Sequence, residues 1–198
     1  MSEAYWIKKI EGKPNFKLGQ NFLIDTNISR KITKLVQGQL ADPIIEIGPG
    51  TGSLTNELLK DNYRLRVLEI DKNLAAITEE RFSEIPNIEV ITQDAMEYDY
   101  SKLTGPWWIL VSNLPYYIGT RLLVKLITEV PVIHRMLLWS KKRLLRELPH
   151  NPIPKSMVHY QLSVHYSPTL SFNLMSVKTA LLPYRRSHQV LLLYNERD

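Results

Sequence analysis

A glycine-rich segment at residues 46–52, EIGPGTG, constrains the fold of this chain more than any other stretch. It joins a short apolar run at 43–47 to a segment of helical periodicity at about 53–60, which predicts a turn from a buried strand into a helix. Glycines let a backbone adopt positive φ and approach a ligand closely, and the start of a helix offers free N–H groups. The segment therefore predicts a ligand-binding strand–turn–helix unit of an α/β protein.

Two acidic residues follow at the ends of the next two expected strands, Glu69 about 20 residues after Gly48 and Asp94 further on. A carboxylate at the first position can accept hydrogen bonds from both ribose hydroxyls of a nucleoside, and one at the second can accept from an adenine amino group. The dinucleotide fingerprint G-x-G-x-x-G is not met, because Ser53 stands where its third glycine would be. We therefore expect S-adenosyl-L-methionine rather than NAD as the cofactor, bound by Gly48, Gly50 and these two acids.

A further apolar run at 107–111 is followed by Asn113, Leu114, Pro115 and Tyr116. Ligands bind at the carboxyl ends of strands in open α/β sheets. The Asn113 carboxamide can accept one hydrogen of an aromatic amine, backbone carbonyls held by Pro115 can accept the other, and the Tyr116 ring offers a stacking face. Such acceptors draw the amine towards tetrahedral geometry and localise its lone pair on nitrogen. A strand that ends in an X-Pro turn would give the same residues, but beside the cofactor motifs they predict a catalytic site.

Strands and helices alternate along the chain at the spacing of a doubly wound, mainly parallel sheet. Helices are expected at about 26–40 (capped by Asp25 or Thr26), 53–60, 71–82, 120–129 and, with a basic composition, 140–148. Strands are expected at 43–47, 66–70, 88–91, 107–111, 135–139, 172–177 and 189–194, and residues 157–166 fit either a helix or a strand. We expect one α/β domain over 1–198, of the Rossmann-like methyltransferase type, with residues 1–25 as a lead-in over the cofactor site.

Composition excludes several kinds of chemistry. The chain has no cysteine, which rules out disulfides, thiolate metal sites and a cysteine nucleophile, and its five histidines show no compact metal-ligand spacing. No apolar run approaches the ~20 residues that a membrane-spanning helix needs, and the N-terminus lacks the apolar core of a signal peptide. We expect a cytoplasmic monomer with no metal and no membrane contact.

Charge is divided unevenly between the two halves of the chain. Residues 1–100 hold 12 Lys+Arg and 16 Asp+Glu, a net −4, whereas residues 101–198 hold 13 and 4, a net +9. A single basic cluster is usually a solvated face, but an excess over half of a chain indicates a surface that binds a polyanion.

Together, these motifs resemble the ribosomal RNA adenine N6,N6-dimethyltransferase family, which includes the small-subunit dimethyladenosine transferases and the Erm-type resistance methyltransferases. The resemblance covers about residues 16–126, and GQNFL at 19–23 and NLPY at 113–116 favour the small-subunit branch. It implies that Asn21 and Leu23 belong to the cofactor site. With the residues above, the implied cofactor set is Asn21, Leu23, Gly48, Gly50, Glu69, Asp94 and Asn113, and the implied catalytic set is Asn113, Leu114, Pro115 and Tyr116.

The second half departs from the family pattern after about residue 139. Residues 139–143, WSKKR, replace a Gln-Lys-Glu-rich helix start, and residues 181–187, LLPYRRS, keep only the first proline and a basic residue of a conserved family motif. An aromatic residue that helps to hold the flipped base in the family is missing or replaced, with Tyr117 or Tyr184 as the candidates. The family's small helical C-terminal domain is not expected within this sequence.

The resemblance implies methyl transfer to the exocyclic N6 of adenine in RNA, twice on one base, with ribosomal RNA bound through the basic region 121–186. The adenine must be unpaired or flipped to react, and no dedicated general base is required, because the amine becomes acidic when it takes up the methyl group. Three alternatives remain open. They are a catalytically inactive nucleic-acid-binding relative of the mitochondrial transcription-factor kind, a DNA adenine methyltransferase, whose motif usually has two prolines, and a small-molecule methyltransferase, which the +9 half disfavours.

Overall fold

A computed structural model describes residues 3–10, 23, 25–36, 42–105, 107–113, 119–139, 158–165, 173–181 and 186–194. Within these ranges the helices are α1 Glu3–Lys9, α2 Thr26–Val36, α3 Ser53–Lys60, α4 Lys72–Arg81 and α5 Gly119–Glu129. The strands are β1 Ile44–Ile47, β2 Leu65–Glu69, β3 Ile88–Thr92, β4 Trp108–Asn113, β5 Ile133–Trp139, β6 Val158–His165, β7 Asn173–Leu181 and β8 Arg186–Tyr194.

The strands form one sheet in the order β3-β2-β1-β4-β5-β8-β7-β6. Strands β1 to β5 pair in parallel, β8 pairs in parallel with β5, and β7 is antiparallel to β8 and β6. The order reverses between β1 and β4, where Ile47 lies opposite Ser112. Connections leave such a switch point in opposite directions and open a crevice at the carboxyl ends of the strands. The doubly wound, mainly parallel sheet predicted from the sequence is confirmed.

Apolar side chains fill both faces of this sheet. On one face Ile45 and Ile47 belong to a buried cluster that includes Leu122 and Leu126 of α5. On the other face Ile44 belongs to a cluster with residues of α2 and α3. Successive residues of a strand point to opposite faces. The same alternation therefore sends the carboxylate of Glu46 towards α3 rather than towards α5.

Several predicted boundaries need correction. The strand expected to end at residue 111 continues to Asn113, because Ser112 and Asn113 still pair with Leu138 and Trp139 of β5. Strands β7 and β8 are longer than predicted, since their antiparallel ladder runs from Asn173 opposite Tyr194 to Leu181 opposite Arg186. Residues 158–165 form a strand, which resolves the alternative left open there. Helix α2 is described as far as Val36, and the basic helix expected at 140–148 lies outside the described residues.

Helix α1 is a further difference, because the sequence pattern predicts no helix at 3–9. It is too short to carry a clear periodicity, and a helix of this length is not stable alone. Trp6 is only 4% exposed and packs in a cluster with Leu74 and Ile77 of α4. An ion pair between Lys9 and Glu80 joins the same two helices at the surface. Contacts with α4, distant in sequence, therefore stabilise α1. Within the described ranges, every helix is too short or too polar to cross a lipid bilayer.

Candidate active site

The ends of four parallel strands lie side by side at the carboxyl edge of the sheet. The Gly48 N–H donates to the Leu68 carbonyl at 2.9 Å, and the Gln93 N–H donates to the Glu69 carbonyl at 2.9 Å. Between β4 and β1, the buried Ser112 hydroxyl donates to the Ile47 carbonyl at 2.5 Å. These hydrogen bonds connect the carboxyl ends of neighbouring strands. They hold in place the strand ends from which the glycine turn and the residues after β2, β3 and β4 continue.

The glycine turn has a backbone that other residues rarely adopt. Gly48, Gly50 and Gly52 have φ of 68°, 59° and 83°, all in the left-handed region. The Gly52 N–H donates to the Pro49 carbonyl at 2.9 Å, and the chain then enters α3 without a side-chain cap. A Cβ on Gly52 would lie 2.7 Å from Cε2 of Phe82. The third glycine therefore serves close packing against the end of α4, a role that its position in the sequence alone does not reveal.

Glu69 ends β2 beside this turn as a buried acid. Its side chain is 5% exposed, and burial raises the pKa of its carboxyl to about 7. Backbone hydrogen bonds from Asp71, at 3.0 Å, and from Gly50 and Ile70 work in the opposite direction, while the charge of Asp71 raises the pKa further. Amide donors thus approach the carboxylate from the glycine turn and from the start of the next loop. A carboxylate has about four lone-pair sites, so it can accept further hydrogen bonds from a ligand.

Asp94 and Asn113 occupy the ends of the flanking strands. Asp94 lies just beyond β3, and its Oδ1 accepts from the Met96 N–H at 2.8 Å, which orients the carboxylate. Asn113 is half-buried and is the last residue of β4, opposite Trp139 of β5. The structure thereby aligns the predicted residues Gly48, Gly50, Glu69, Asp94 and Asn113 along one edge of the sheet. Among the described residues, no group of three or more His, Asp or Glu side chains could hold a metal ion.

A sequence model of the family described as ribosomal RNA adenine dimethylase matches residues 12–177. The chain belongs to this family.

Two relatives and one solved structure are similar to this chain. The ribosomal RNA small subunit methyltransferase A of Clostridioides difficile (strain 630) is 41% identical over 145 residues, covering 68% of this chain and 50% of that protein. Its counterpart in Ligilactobacillus salivarius (strain UCC118) is 31% identical over 186 residues, covering 91% and 63%. The chain therefore spans 50% to 63% of the length of these two relatives. The crystal structure of the 23S rRNA methyltransferase ErmE has the same fold, with a TM-score of 0.57 and 24% identity over 73% of this chain and 61% of that one.

Several residues predicted for the site lie outside the part of the chain that the structure describes. Asn21, Leu114, Pro115 and Tyr116 lie outside the described residues. The same holds for Tyr117 and Tyr184, the candidate replacements for the missing aromatic residue. Leu23 is half-buried and packs against the cluster that joins α2 and α3 to the sheet.

Glu46, in β1 just before the glycine turn, is a buried acid to which the sequence pattern gave no separate role. It is 1% exposed, and burial raises the pKa of its carboxyl to about 8. The Thr55 hydroxyl donates to its Oε2 at 2.7 Å and lowers that pKa, the charge of Glu69 raises it, and the charge of Arg81 lowers it. An acid within a four-residue apolar strand was the available signal, because β1 is buried at every position.

Ile70 is a second residue that the sequence reasoning missed. Its side chain is 42% exposed, although it lies between Glu69 and Asp71 directly after a buried strand. A large apolar side chain exposed beside a carboxylate offers a surface for the flat face of an aromatic ligand. An isoleucine between two acids just past a strand end was the sequence signal.

Proposed function

We propose that this chain transfers methyl groups from S-adenosyl-L-methionine to the exocyclic N6 of adenine in ribosomal RNA, dimethylating one base. The observation that carries the proposal is the buried Glu69 carboxylate, which meets the glycine turn at the edge where Asn113 ends β4. An acceptor for ribose hydroxyls and an acceptor for an aromatic amine are then available on the same sheet edge.

The chemistry of the edge fits the proposed cofactor. Glu69 supplies a carboxylate acceptor for ribose hydroxyls, Asp94 supplies an oriented carboxylate for an adenine amino group, and Ile70 supplies an apolar surface for the adenine ring. The open backbone at Gly48 and Gly50 allows close approach of the ligand. When bound, S-adenosyl-L-methionine supplies an electrophilic methyl group on its sulfonium. Asn21 and Leu23 remain part of the proposed cofactor site by family resemblance.

The proposed catalytic set is Asn113, Leu114, Pro115 and Tyr116. The Asn113 carbonyl oxygen accepts one hydrogen of the target amine, a backbone carbonyl beside Pro115 accepts the other, and the nitrogen lone pair is localised towards the methyl donor. Once the nitrogen carries the transferred methyl group, its proton is acidic and leaves to Asn113 or to water, and S-adenosylhomocysteine is the other product. Tyr116 stacks on the adenine, which has been removed from its helix. Positioning of two substrates in this way supplies much of the rate.

Ribosomal RNA is proposed as the partner because of the family and of the +9 charge on residues 101–198. The described side chains refine which charges contribute. Lys125 donates to the Met96 carbonyl and Arg135 donates to the Leu35 carbonyl at 2.9 Å, so both serve the fold. Arg121 is exposed. The proposed RNA surface therefore depends on Arg121 and on the basic residues at 141–186. We also propose that the protein acts in the cytoplasm as a monomer.

Incubation with radiolabelled S-adenosyl-L-methionine and unmethylated small ribosomal particles, followed by nucleoside analysis, tests the proposal. We expect label in N6,N6-dimethyladenosine. Replacement of Asn113 by Ala should lower turnover by about 100- to 1000-fold, as for loss of a positioned polar group, and should lower the affinities for cofactor and RNA by much less. If the parent binds both ligands yet no adenine substrate is labelled, a nucleic-acid-binding relative without catalysis becomes the correct description.

A further inference from the structure

The N-terminal helix meets the glycine turn through one side chain of α4, Arg81. Its Nη1 donates to the Thr51 carbonyl oxygen at 2.6 Å. Its guanidinium carbon lies 5.6 Å from the centroid of the Trp6 ring and 5.2 Å from that of the Phe82 ring. Cations at these distances over aromatic faces are attracted to them. Arg81 therefore links α1, the end of α4 and the turn.

The turn needs such external support because of its own composition. Gly48, Gly50 and Gly52 all adopt positive φ, and glycine loses more conformational freedom on ordering than any other residue. Contacts from α4 limit that freedom along the turn. The Thr78 hydroxyl is 3.4 Å from the Gly50 carbonyl, Arg81 bonds Thr51, and the Phe82 ring closes on Gly52.

Trp6 is the residue of α1 that contacts Arg81. The indole is buried against α4, and its ring lies at cation–π distance from the guanidinium. A flexible arginine side chain has several rotamers to lose when it forms one hydrogen bond. An aromatic residue packed against it removes part of that cost before any ligand arrives.

We propose that Arg81 is a positioning residue for the glycine turn, that α1 holds it in place through Trp6, and that the affinity for the cofactor depends on this pair. The inference rests on the proposed function in so far as the ligand is S-adenosyl-L-methionine. Neither residue needs to touch the ligand. Both act on the backbone that approaches it, since the carbonyl bonded by Arg81 lies directly between Gly50 and Gly52.

Neighbouring positions of α4 provide a matched comparison. Glu80 also contacts α1, through its ion pair with Lys9, but forms no described contact with the turn. The substitution Arg81→Met keeps an apolar stem between the aromatic rings and removes the donor to Thr51. The substitution Glu80→Ala breaks the ion pair between the helices and leaves that donor intact.

Two measurements on the full chain test the proposal. We expect Arg81→Met to weaken binding of S-adenosylhomocysteine by about tenfold in calorimetry and to speed hydrogen exchange of the Gly52 amide in the ligand-free protein by a similar factor. Glu80→Ala should change both by less than about twofold. In the Arg81→Met background, Trp6→Ala should add little, because contacting residues in one network are not additive. If Arg81→Met does not fold, Arg81→Lys, which retains a charge and a donor, should give an intermediate loss in both measurements.

Unchanged affinity and unchanged Gly52 exchange in a folded Arg81 variant would overturn the proposal, as would equal losses in Arg81→Met and Glu80→Ala. Failure of the parent protein to bind the probe would instead count against the proposed function. The exchange measurement distinguishes the two cases, because it needs no ligand.

Discussion

Glu69 combines a buried position with a pKa close to neutrality, and this combination makes ligand binding dependent on pH. Ribose hydroxyls donate to the ionised carboxylate, so binding favours the form that has lost its proton. The carboxyl of the ligand-free protein has a pKa of about 7. The negative charge of Asp71 opposes ionisation of the Glu69 carboxyl. Glu46 lies nearby, and the charge of Glu69 raises the pKa of the Glu46 carboxyl. Proton release on binding is therefore expected at neutral pH.

We predict that the affinity for S-adenosylhomocysteine falls below pH 7, by up to about tenfold per pH unit. The substitution Glu69→Gln should flatten this dependence. It should also weaken binding at pH 8 by roughly 1.5–3 kcal/mol, the contribution of a hydrogen bond to a charged group. Calorimetry at pH 6 and pH 8 measures both effects. Glu89→Gln, at an exposed acid near the amino end of β3, is the control and should bind as the parent does. A Glu69→Gln variant with the parent's pH profile would exclude this role.

Glu46 makes a different contribution, because its raised pKa affects the stability of the folded state and not the binding of a ligand. Its carboxyl has a pKa of about 8 in the fold against an ordinary value of 4.5. The folded state therefore holds a proton that the unfolded state has released. Stability from this group is fully present below about pH 4.5 and is lost as the pH rises through about 8.

We predict that the ligand-free protein loses stability between pH 5 and pH 8 and that Glu46→Gln loses less. Glutamine keeps an acceptor for the Thr55 hydroxyl and cannot ionise. In the parent, the tendency of Glu46 to ionise lowers the free energy of unfolding by at most about 1.4 kcal/mol for each pH unit in this window. Thermal unfolding at both pH values provides the comparison. The variant should melt at a higher temperature than the parent at pH 8, with a smaller difference at pH 5. Parallel curves would mean that Glu46 does not hold a proton in the fold.

At the scale of an element, the turn between β1 and α3 is sensitive to added volume. A Cβ at Gly52 meets the Phe82 ring at 2.7 Å, and the φ of 83° is unfavourable for other residues. Gly105 is a natural control, since its φ of 109° is also positive but nothing lies within 4 Å of an added Cβ. The two positions separate backbone strain from a steric clash.

We predict that Gly52→Ala destabilises the fold more than Gly105→Ala. Both substitutions place a side chain on a backbone with positive φ, which costs roughly 1–2 kcal/mol. Only Gly52→Ala also forces Phe82 away from the turn. Denaturant unfolding gives the two free-energy changes. Equal losses would show that the Phe82 ring moves aside without cost.

The elements also show which features could be predicted from the sequence. The β1–turn–α3 unit and the acid at the end of β2 were predictable because their signals are local: an apolar run, three glycines and a carboxylate at a fixed spacing. Helix α1 was not, because the burial of Trp6 depends on α4. The extension of β4 to Asn113 was missed for a similar reason, since Ser112 and Asn113 pair with Leu138 and Trp139 of β5, which lie far away in the chain. Residues such as Glu46 and Arg81 acquire a role only from neighbours that the fold supplies.

At the scale of the whole molecule, the division of charge predicts how RNA binding responds to salt. Neutralised phosphates release counterions, so affinity should fall steeply as the salt concentration rises. Filter binding or anisotropy at several salt concentrations measures the slope. An affinity that does not respond to salt would place recognition outside the basic half.

Charge reversal locates the surface more closely. Lys141→Glu, Lys142→Glu and Arg143→Glu together should weaken RNA binding and reduce the salt slope, while the affinity for the cofactor stays the same. Reversal of Lys8, Lys34 and Lys72, three exposed lysines of the acidic half, is the matched control and should have a much smaller effect. Similar losses from both triple variants would indicate a general charge effect rather than a defined surface.

The order of the strands has a consequence for synthesis of the protein. In the finished sheet β5 lies between β4 and β8, yet β8 is made last, after β6 and β7. As the chain leaves the ribosome from its N-terminus, the first five strands can assemble while the outer edge of β5 still has unpaired N–H and C=O groups. An apolar edge of this kind, here with Met136, Leu137 and Leu138 in its interior, is a template for pairing with another chain. The nascent protein is therefore most exposed to aggregation in the interval between synthesis of residue 139 and arrival of residues 186–194.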